Sequence, residues 1–580
     1  MKIISNISIE NDGFENINYY SLQEDFSKRP VSILEIIDKL PKDFNPVFFI
    51  FRTPLYLMVP YDIEKSPLLT VCLLDDCFSG LDYLLDILKK FDYIFTDRTT
   101  ISLLNQAGFD NVDYWPCFGY DPKLFRYFPN EKKIYDVSFV GNLNVNIQTN
   151  RMWYLKRLTE IKSKYNVKII TNIFGEDYVK ILNQSKIVFN HSIKSEMNMR
   201  AFEATACNTL LFMEESNLEI RDFFTPNKEC ILYNKNNFED LLYYYLENEK
   251  ERKNIAQAAW EKSKNYSYNE LFKLLLKKIN SKKINKHNKK RNQKKFYLQP
   301  QHIEFIQISL SKNGLNKTGT LDSIIKILSN TNDHIVINNC AVLLLFYTEI
   351  FKKEINKKEE DIIIVNSIKL LEKVEKIFPK YMVAKYNHAY AYLIKGDIDI
   401  AEEKFLYIYN ELDKFNYESY LGLISPLNYI LPIRVLWSNT LSDALFNKEK
   451  ISLFRHNCLR AFSAYFLGNI NEFKNNKKSA LKYYSYSNNL LPDQAFILAK
   501  MTSFYEYFED FKTTKDVFNK AFKKDPFEIN IWKNYYHFLI KNNKTDEAKK
   551  FYKKCVLISN RVSIFSNINV EEELKNINPK

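Results

Sequence analysis

The sequence predicts an α/β half followed by an all-α half, and three observations carry that reading. Before residue 281, short apolar runs alternate with stretches of helical spacing. After residue 295 that alternation stops and a 34-residue period replaces it. Between the two, residues 281–295 read SKKINKHNKKRNQKK, with eight basic residues and no acid. The expected organisation is therefore two Rossmann-like lobes at 1–130 and 131–280, a basic linker at 281–300, and a helical repeat domain at 301–580.

The strands come first. Val47-Phe48-Phe49-Ile50-Phe51 is followed by Leu69-Thr70-Val71-Cys72-Leu73-Leu74 and by Tyr93-Ile94-Phe95-Thr96. After Pro116 the series resumes with Val137-Ser138-Phe139-Val140, Val167-Lys168-Ile169-Ile170, Ile187-Val188-Phe189 and Thr209-Leu210-Leu211-Phe212. Each run is short, β-branched or aromatic, and almost continuously apolar. That pattern suits strands buried on both faces of a parallel sheet. Between them Leu81, Leu84, Leu85 and Leu88 have the spacing of one helix face.

In open α/β sheets, ligands sit beyond the carboxyl ends of the strands, where loops lead into helix N-termini. Three loops qualify: Gly141-Asn142-Leu143-Asn144, the stretch from Asn190 to Arg200, and Glu214-Glu215-Ser216-Asn217. A Gly after a buried strand lets backbone approach a phosphate, although Gly is common in any such turn. No G-x-G-x-x-G fingerprint and no P-loop occurs, so neither a nicotinamide cofactor nor a Walker-type ATP site is indicated.

The stretch Asn198-Met199-Arg200-Ala201-Phe202-Glu203-Ala204-Thr205-Ala206-Cys207-Asn208-Thr209-Leu210-Leu211 resembles the donor-site motif of GT-B glycosyltransferases, and within them the CgeB-like or group 1 family of bacterial enzymes. Tyr135-Asp136-Val137-Ser138-Phe139-Val140-Gly141, Ser185-Lys186-Ile187-Val188-Phe189-Asn190, Glu229-Cys230-Ile231-Leu232-Tyr233 and a closing helix at 243–258 agree in order, as do Phe91-Asp92-Tyr93-Ile94-Phe95 and Tyr114-Trp115-Pro116-Cys117 upstream. The resemblance covers roughly 69–278 and implies twin Rossmann-like lobes with a nucleotide-sugar donor on the second.

Glu203 matches the family glutamate that holds the ribose hydroxyls, a role suited to a carboxylate that accepts from two neighbouring hydroxyls. Arg200 and Lys194 would neutralise the diphosphate, with the Gly141-Asn142 backbone, Arg151, His191 and Asn198 completing the donor-side set. Read from the residues alone, Glu203 could equally decorate a helix N-terminus, with Arg200 as its ion-pair partner. Two departures stand out. Ser195 occupies the place of a second family glutamate, with Glu196 one position late, and Asn208 replaces a glycine. Asn tolerates left-handed backbone, so that turn is expected to survive.

On the first lobe, Asp75 and Asp76 end a strand, where a carboxylate can act as general base toward an acceptor hydroxyl or simply cap the next helix. His191 is the only histidine among the first 286 residues, which argues against a His-rich metal site and a Ser–His–Asp triad in this half. GT-B enzymes generally need no bound metal, because cationic side chains and helix dipoles stabilise the leaving group. No metal and no cofactor beyond the nucleotide-sugar cosubstrate are expected.

In the second half, Pro492 and Pro526, Phe518 and Tyr552, and Ala521 and Cys555 are each separated by 34 residues. Ala389, Tyr392, Ala401 and Phe405, with Gly396-Asp397 turning between helices, resemble tetratricopeptide (TPR) anchor positions. Trp532, Leu539, Ala548 and Tyr552 repeat the arrangement. Such arrays stack into an α-solenoid whose extended face usually holds peptide. The many Tyr and Phe residues then serve as packing anchors, and a base-stacking surface for nucleic acid is not expected.

Charge and cysteine are consistent with this division. The formal charge is +13, and removing the eight basic residues of 281–295 leaves +5. The segment reads as a solvated tether. Eight scattered cysteines with no Cys-x-x-Cys pair read as buried thiols. No stretch reaches the ~18 consecutive apolar residues of a membrane span, and the N-terminus turns polar too early for a secretory signal. A cytoplasmic protein is expected.

The expected function is a glycosyltransferase that moves a sugar from a nucleotide donor, a UDP-sugar such as UDP-GlcNAc, to Ser or Thr of a protein docked by the array. Flagellin or another surface protein is the acceptor that bacterial relatives suggest. Two alternatives stay open: an enzyme extending a glycan or lipid-linked sugar, and a non-catalytic scaffold whose transferase lobe is degenerate.

Overall fold

The computed structural model describes residues 2–6, 18–21, 32–52, 59–60, 62–75, 81–116, 118–145, 148–281, 321, 324–325, 328–329, 332–411, 422–426, 448–508 and 510–575. Residues 282–300 of the predicted basic linker, Asp76, Cys77 and Cys117 lie outside them. All seven predicted runs are strands, within two parallel-stranded sheets flanked by helices, and the secondary structure described after residue 281 is helical.

The first sheet contains β1 (Lys2–Ser5), β2 (Asn18–Ser21), β3 (Phe48–Arg52), β4 (Leu69–Leu74), β5 (Tyr93–Thr96) and β6 (Val112–Tyr114), in the order β2-β1-β3-β4-β5-β6. β1 pairs in parallel with both β2 and β3. With only two buried apolar residues, Ile3 and Ile4, it carries too short a pattern to stand out in sequence. Helices α1 (Ile33–Asp38), α2 (Leu81–Leu88) and α3 (Arg98–Gln106) accompany this sheet. Its core joins Phe49, Phe51, Cys72 and Leu74 to Leu84, Leu88 and Leu104.

The second sheet contains β7 (Tyr135–Val140), β8 (Val167–Ile170), β9 (Ser185–Phe189), β10 (Leu210–Glu214) and β11 (Ile231–Tyr233), in the order β11-β10-β9-β7-β8 with every pair parallel. Helices α4 (Thr149–Glu160), α5 (Gly175–Asn183), α6 (Met199–Ala206) and α7 (Ile220–Phe223) connect these strands. α8 (Phe238–Glu247), α9 (Glu249–Ser263) and α10 (Tyr268–Ser281) follow.

Numbered within itself, this sheet runs 2-1-3-4-5, so the strand order reverses between β7 and β9. That switch point is where doubly wound sheets place ligands. The helix expected at 243–258 is two helices. Asn248 leaves helical geometry (φ −97°, ψ 72°), and its Nδ2 donates to Tyr244 O at 2.8 Å, ending α8 before α9 begins. Asn208 adopts the left-handed conformation anticipated for it (φ 53°).

The helical half contains α11 (His334–Ile350), α12 (Lys357–Ile377), α13 (Met382–Lys395), α14 (Ile398–Asn410), α15 (Lys448–Phe473) and α16 (Lys477–Leu490), then α17 (Ala495–Thr502), α18 (Phe511–Lys524), α19 (Ile529–Lys541), α20 (Thr545–Arg561) and α21 (Val570–Lys575). Ala389, Ala401, Phe405, Trp532, Leu539 and Ala548 are buried as TPR-type anchors. Gly396 closes α13 at φ 95°, a left-handed cap that glycine adopts without Cβ strain. α15, at 26 residues, is too long for a regular 34-residue unit.

Two compact units result, and they cut across the sheet–array boundary. One comprises Met1–Thr96, Thr100–Asp113 and Lys283–Pro492; the other comprises Asp97–Thr99, Tyr114–Lys282 and Asp493–Lys580. In the first, Phe454 of α15 packs on the core of the first sheet.

In the second unit, the last repeats share one core with the second sheet: Trp532, Cys555, Ile558, Val562 and Phe565 pack with Leu155, Leu158 and Ile169. Val562 makes a parallel bridge to Ile169 of β8, and Thr171 N donates to Ser563 Oγ at 3.1 Å, extending that sheet edge. Arg561 is buried and donates to the carbonyls of Thr159, Ile161, Lys162 and Tyr165 at 3.0, 2.9, 3.2 and 3.2 Å, and to Leu158 O at 3.4 Å. Leu158 and Thr159 belong to the last turn of α4, whose carbonyls lack helical partners, and the others follow directly after it; a cation is favoured at such a helix end.

Six cysteines (Cys72, Cys207, Cys230, Cys340, Cys458 and Cys555) are buried free thiols. Among the described residues no helix is long and apolar enough to cross a membrane.

Candidate functional site

The second sheet brings Gly141, Asn142, Arg151, His191, Asn198 and Arg200 of the predicted residues to its switch point. β7 ends at Val140 and β9 at Phe189, and two arginines from different helices tie the loops beyond them together. Arg200, in the first turn of α6, donates from Nε to Val140 O at 2.9 Å and from Nη1 to Asn190 Oδ1 at 2.8 Å. Arg151, in the first turn of α4, donates to His191 O from Nε at 2.9 Å and from Nη2 at 2.6 Å. Its Nη1 reaches Asn142 O at 3.5 Å. Both guanidinium groups lie over the Phe139 ring, at 4.6 Å for Arg200 and 5.5 Å for Arg151. Such contacts hold a cation near an apolar strand without neutralising it.

Among the described residues neither arginine forms a side-chain ion pair; both rest on carbonyls, an amide oxygen and an aromatic ring. Burial, reinforced by the charge of Arg200, lowers the Arg151 guanidinium to about 9, with Glu214 and Glu196 opposing that shift. It is still charged at neutral pH. Two neighbouring cations at the ends of parallel strands form a site that an anion would relieve. Gly141 belongs to the same arrangement. A Cβ there would run into Arg200 Nη2 and approach Phe139 Cζ to 3.0 Å, so the space this residue leaves is filled by the guanidinium.

Glu203 lies one turn beyond Arg200 on α6 and is buried. Tyr178 of α5 donates from its hydroxyl to Glu203 Oε2 at 2.8 Å. Desolvation raises the carboxyl to about 7, against the lowering effects of that hydrogen bond and of Arg200. At neutral pH it exchanges a proton readily, and its ionised form accepts from hydroxyls.

Asn198 precedes α6 and forms a reciprocal amide pair with Asn190, 2.9 and 3.1 Å in the two directions. His191 stacks near Tyr154, with ring centroids 5.2 Å apart. Burial lowers its pKa, so the ring is neutral at pH 7. Its Nδ1 donates to Ser192 O at 2.7 Å, which leaves Nε2 as the lone-pair acceptor.

The loop between β9 and α6 is rigidly organised by carboxylates. Glu196 accepts from Ile193 N at 3.2 Å and Lys194 N at 2.6 Å, and Lys194 O accepts from Thr99 Oγ1 at 3.1 Å. Glu214 Oε1 accepts from Ser192 N at 3.0 Å and from the Ser192 hydroxyl. Glu196 is thus a loop-organising residue, one position after Ser195, whose backbone is left-handed at φ 67°.

On the first sheet, Asp75 stands at the end of β4, buried and ion-paired with Arg52 of β3 at 3.2 Å. That pairing is what a structural carboxylate shows, and the capping alternative for Asp76 lies outside the described residues. Among the described residues no group of three or more His, Cys, Asp or Glu is arranged to hold a metal ion.

Sequence reasoning did not single out Asn190, Tyr178 or Phe139. Asn190 takes part in the amide pair and accepts from Arg200, and its O accepts from the Tyr233 hydroxyl. Its position directly after an apolar run was the one available signal. Tyr178 had none, since only packing brings α5 beside α6.

No curated protein matches the sequence. Among solved structures, the pneumococcal O-GlcNAc transferase GtfA, solved in complex with UDP and GlcNAc, is 11% identical with a TM-score of 0.30 and covers 40% of this chain. The match spans little more than half of that transferase, 56% of its length. A glycosyltransferase from Rickettsia africae ESF-5 is 14% identical, with a TM-score of 0.33 over 48% of this chain and 89% of its own. The TPR2AB domain of yeast Sti1 is 13% identical, with a TM-score of 0.19 over 47% of this chain and 97% of its own. Residues 128–277, which hold every donor-side residue described above, match the family model described as Glycosyl transferase-like.

Proposed function

We propose that the protein is a glycosyltransferase that binds a nucleotide sugar at the β7–β9 switch point and transfers the sugar to a hydroxyl of a protein acceptor. The observation that carries this reading is the pair of neighbouring guanidinium groups, Arg151 and Arg200, held at the ends of β7 and β9 with no carboxylate ion pair among the described residues. A diphosphate supplies the charge they lack. Glu203, one turn along α6, is then the acceptor for the ribose hydroxyls.

In the transfer, the acceptor oxygen bonds to the anomeric carbon as the bond from that carbon to the diphosphate oxygen breaks. The developing negative charge falls on the diphosphate beside the two arginines, where fixed cations in a partly dry site are most effective. The acceptor proton leaves to a base on the acceptor side. A UDP-sugar such as UDP-GlcNAc, Ser or Thr of a surface protein such as flagellin, metal-independent chemistry and a cytoplasmic reaction before export complete the proposal.

The test is a thermal-shift panel of nucleotide sugars on the full chain. A ligand at ~100 times its dissociation constant stabilises by about 2.7 kcal/mol. The shift should appear with one nucleotide class and disappear in Glu203→Ala. No shift with any nucleotide sugar would refute donor binding and leave the scaffold alternative.

A further inference from the structure

In the first compact unit, three asparagines that are 0% exposed, Asn338 and Asn339 of α11 and Asn387 of α13, face one non-helical segment, 422–426. Their amides contact only its backbone and one another. Leu423 N donates to Asn339 Oδ1 at 2.7 Å, and Leu423 O accepts from Asn338 Nδ2 at 3.1 Å and from Asn387 Nδ2 at 2.8 Å. Ser425 N donates to Asn387 Oδ1 at 2.8 Å. Asn387 Nδ2 also donates to Asn338 Oδ1 at 2.8 Å, which fixes the amides relative to each other.

The bonded residues, 423 and 425, are two apart, the spacing at which an extended chain presents the same edge. No segment side chain takes part in these bonds, so the asparagines read backbone rather than sequence. Specificity enters through shape. Gly422 has φ 97°, and a Cβ there would meet the Tyr381 hydroxyl, Asn339 Oδ1 and Asn338 Nδ2. Leu423 and Ile424 are buried.

The fit is incomplete. Among the described residues Asn339 Nδ2 and Ser425 Oγ are buried with no hydrogen-bond partner, whereas buried polar groups are nearly always satisfied. An internal segment that leaves a donor and a hydroxyl unmet holds its place less firmly than one that satisfies both.

We propose that Asn338, Asn339 and Asn387 form a recognition site for an extended polypeptide, occupied in the resting chain by residues 422–426 and competed for by the protein acceptor. The occupant's chemistry follows from the internal one: a residue without a side chain, two apolar residues, then one able to offer a hydroxyl. The identification of the competitor as the acceptor rests on the transferase reading above; the peptide site itself does not.

Hydrogen exchange on the full chain tests displaceability without any substitution. The amides of Leu423 and Ser425 should exchange at least tenfold faster than the central amides of α11 and α13. Exchange as slow as in those helices would make the segment a fixed part of the fold and overturn the proposal.

A second measurement uses a fluorescein-labelled Gly-Leu-Ile-Ser-Pro peptide and fluorescence anisotropy. Gly422→Val, which expels the internal segment, should bind the peptide at least tenfold more tightly than the wild type, and adding Asn387→Ala should remove that gain. A folded Gly422→Val protein that binds no better overturns the proposal; if that variant does not fold, hydrogen exchange decides alone. Neither readout involves sugar. Failure here with an intact nucleotide-sugar shift sinks only the peptide site, whereas peptide binding without that shift sinks only the transferase reading.

Discussion

Arg561 makes a quantitative demand on the second unit. Its guanidinium serves the carbonyls of Leu158, Thr159, Ile161, Lys162 and Tyr165, all beyond or within the last turn of α4. In Arg561→Ala the carbonyls of Leu158, Thr159, Ile161 and Tyr165 lose this donor in a region closed by Trp532, Phe565 and Val562, while Lys162 O keeps the Tyr165 amide at 3.1 Å. Water can reach some of them, so two or three remain unmet at ~1–1.5 kcal/mol each, or about 3 kcal/mol in total. For a unit of this size that corresponds to a fall of about 6–12 °C in its melting temperature.

Intrinsic fluorescence is the suitable assay, because Trp115, Trp153, Trp260 and Trp532, four of the five tryptophans, belong to this unit. Arg561→Lys should recover less than half of the loss, since a single ammonium cannot span carbonyls that the planar fork reaches together. The nucleotide-sugar shift should persist, because Arg151 lies ten residues back along α4, about 15 Å away. A fall below 2 °C in Arg561→Ala would refute the claim that the C-terminal repeats are structurally part of the unit that holds the second sheet. Cutting the chain after the second sheet is for the same reason expected to unfold that sheet.

Other outcomes follow from the site. Arg200→Ala should weaken nucleotide-sugar binding by about 10–100-fold, the equivalent of one charge-assisted contact, measured by calorimetry. Gly141→Ala should weaken it in the same direction by displacing that guanidinium, with little change in melting temperature. Because the folded Glu203 carboxyl, at about 7, lies above its usual 4.5, ionising it opposes folding. Relative to Glu203→Gln, the wild type should lose up to about 3 kcal/mol of stability as pH rises from 4.5 through 7. Binding that uses the carboxylate should strengthen over the upper part of that window. Tyr178→Phe, which removes a hydrogen bond to the ionised form, should move the midpoint of both profiles to higher pH.

Much of the donor-side lobe could be read from the chain itself. Val137 to Val140, Ile187 to Phe189 and Thr209 to Phe212 are buried on both faces, and burial of that kind leaves an unbroken apolar run. Arg200 and Glu203 were accessible because one helical turn carries both. The break at Asn248 was not, since a single asparagine inside an otherwise helical pattern ends the helix only when its side chain finds the Tyr244 carbonyl. β1 was equally silent, as its two isoleucines become a strand only when β2 and β3 pair on either side.

Sequence pattern by itself determined the alternation of strand and helix, the left-handed turn at Asn208 and the 34-residue rhythm of the helices, because each is written in residue type and spacing along the chain. Tertiary structure decided what stands beside what. It placed Arg151 next to Arg200, Tyr178 against Glu203, the three asparagines around residues 422–426, and Arg561 over the end of α4. Those contacts join residues from 25 to 403 positions apart, and their energies come from burial and hydrogen bonding that exist only once the chain has closed around them.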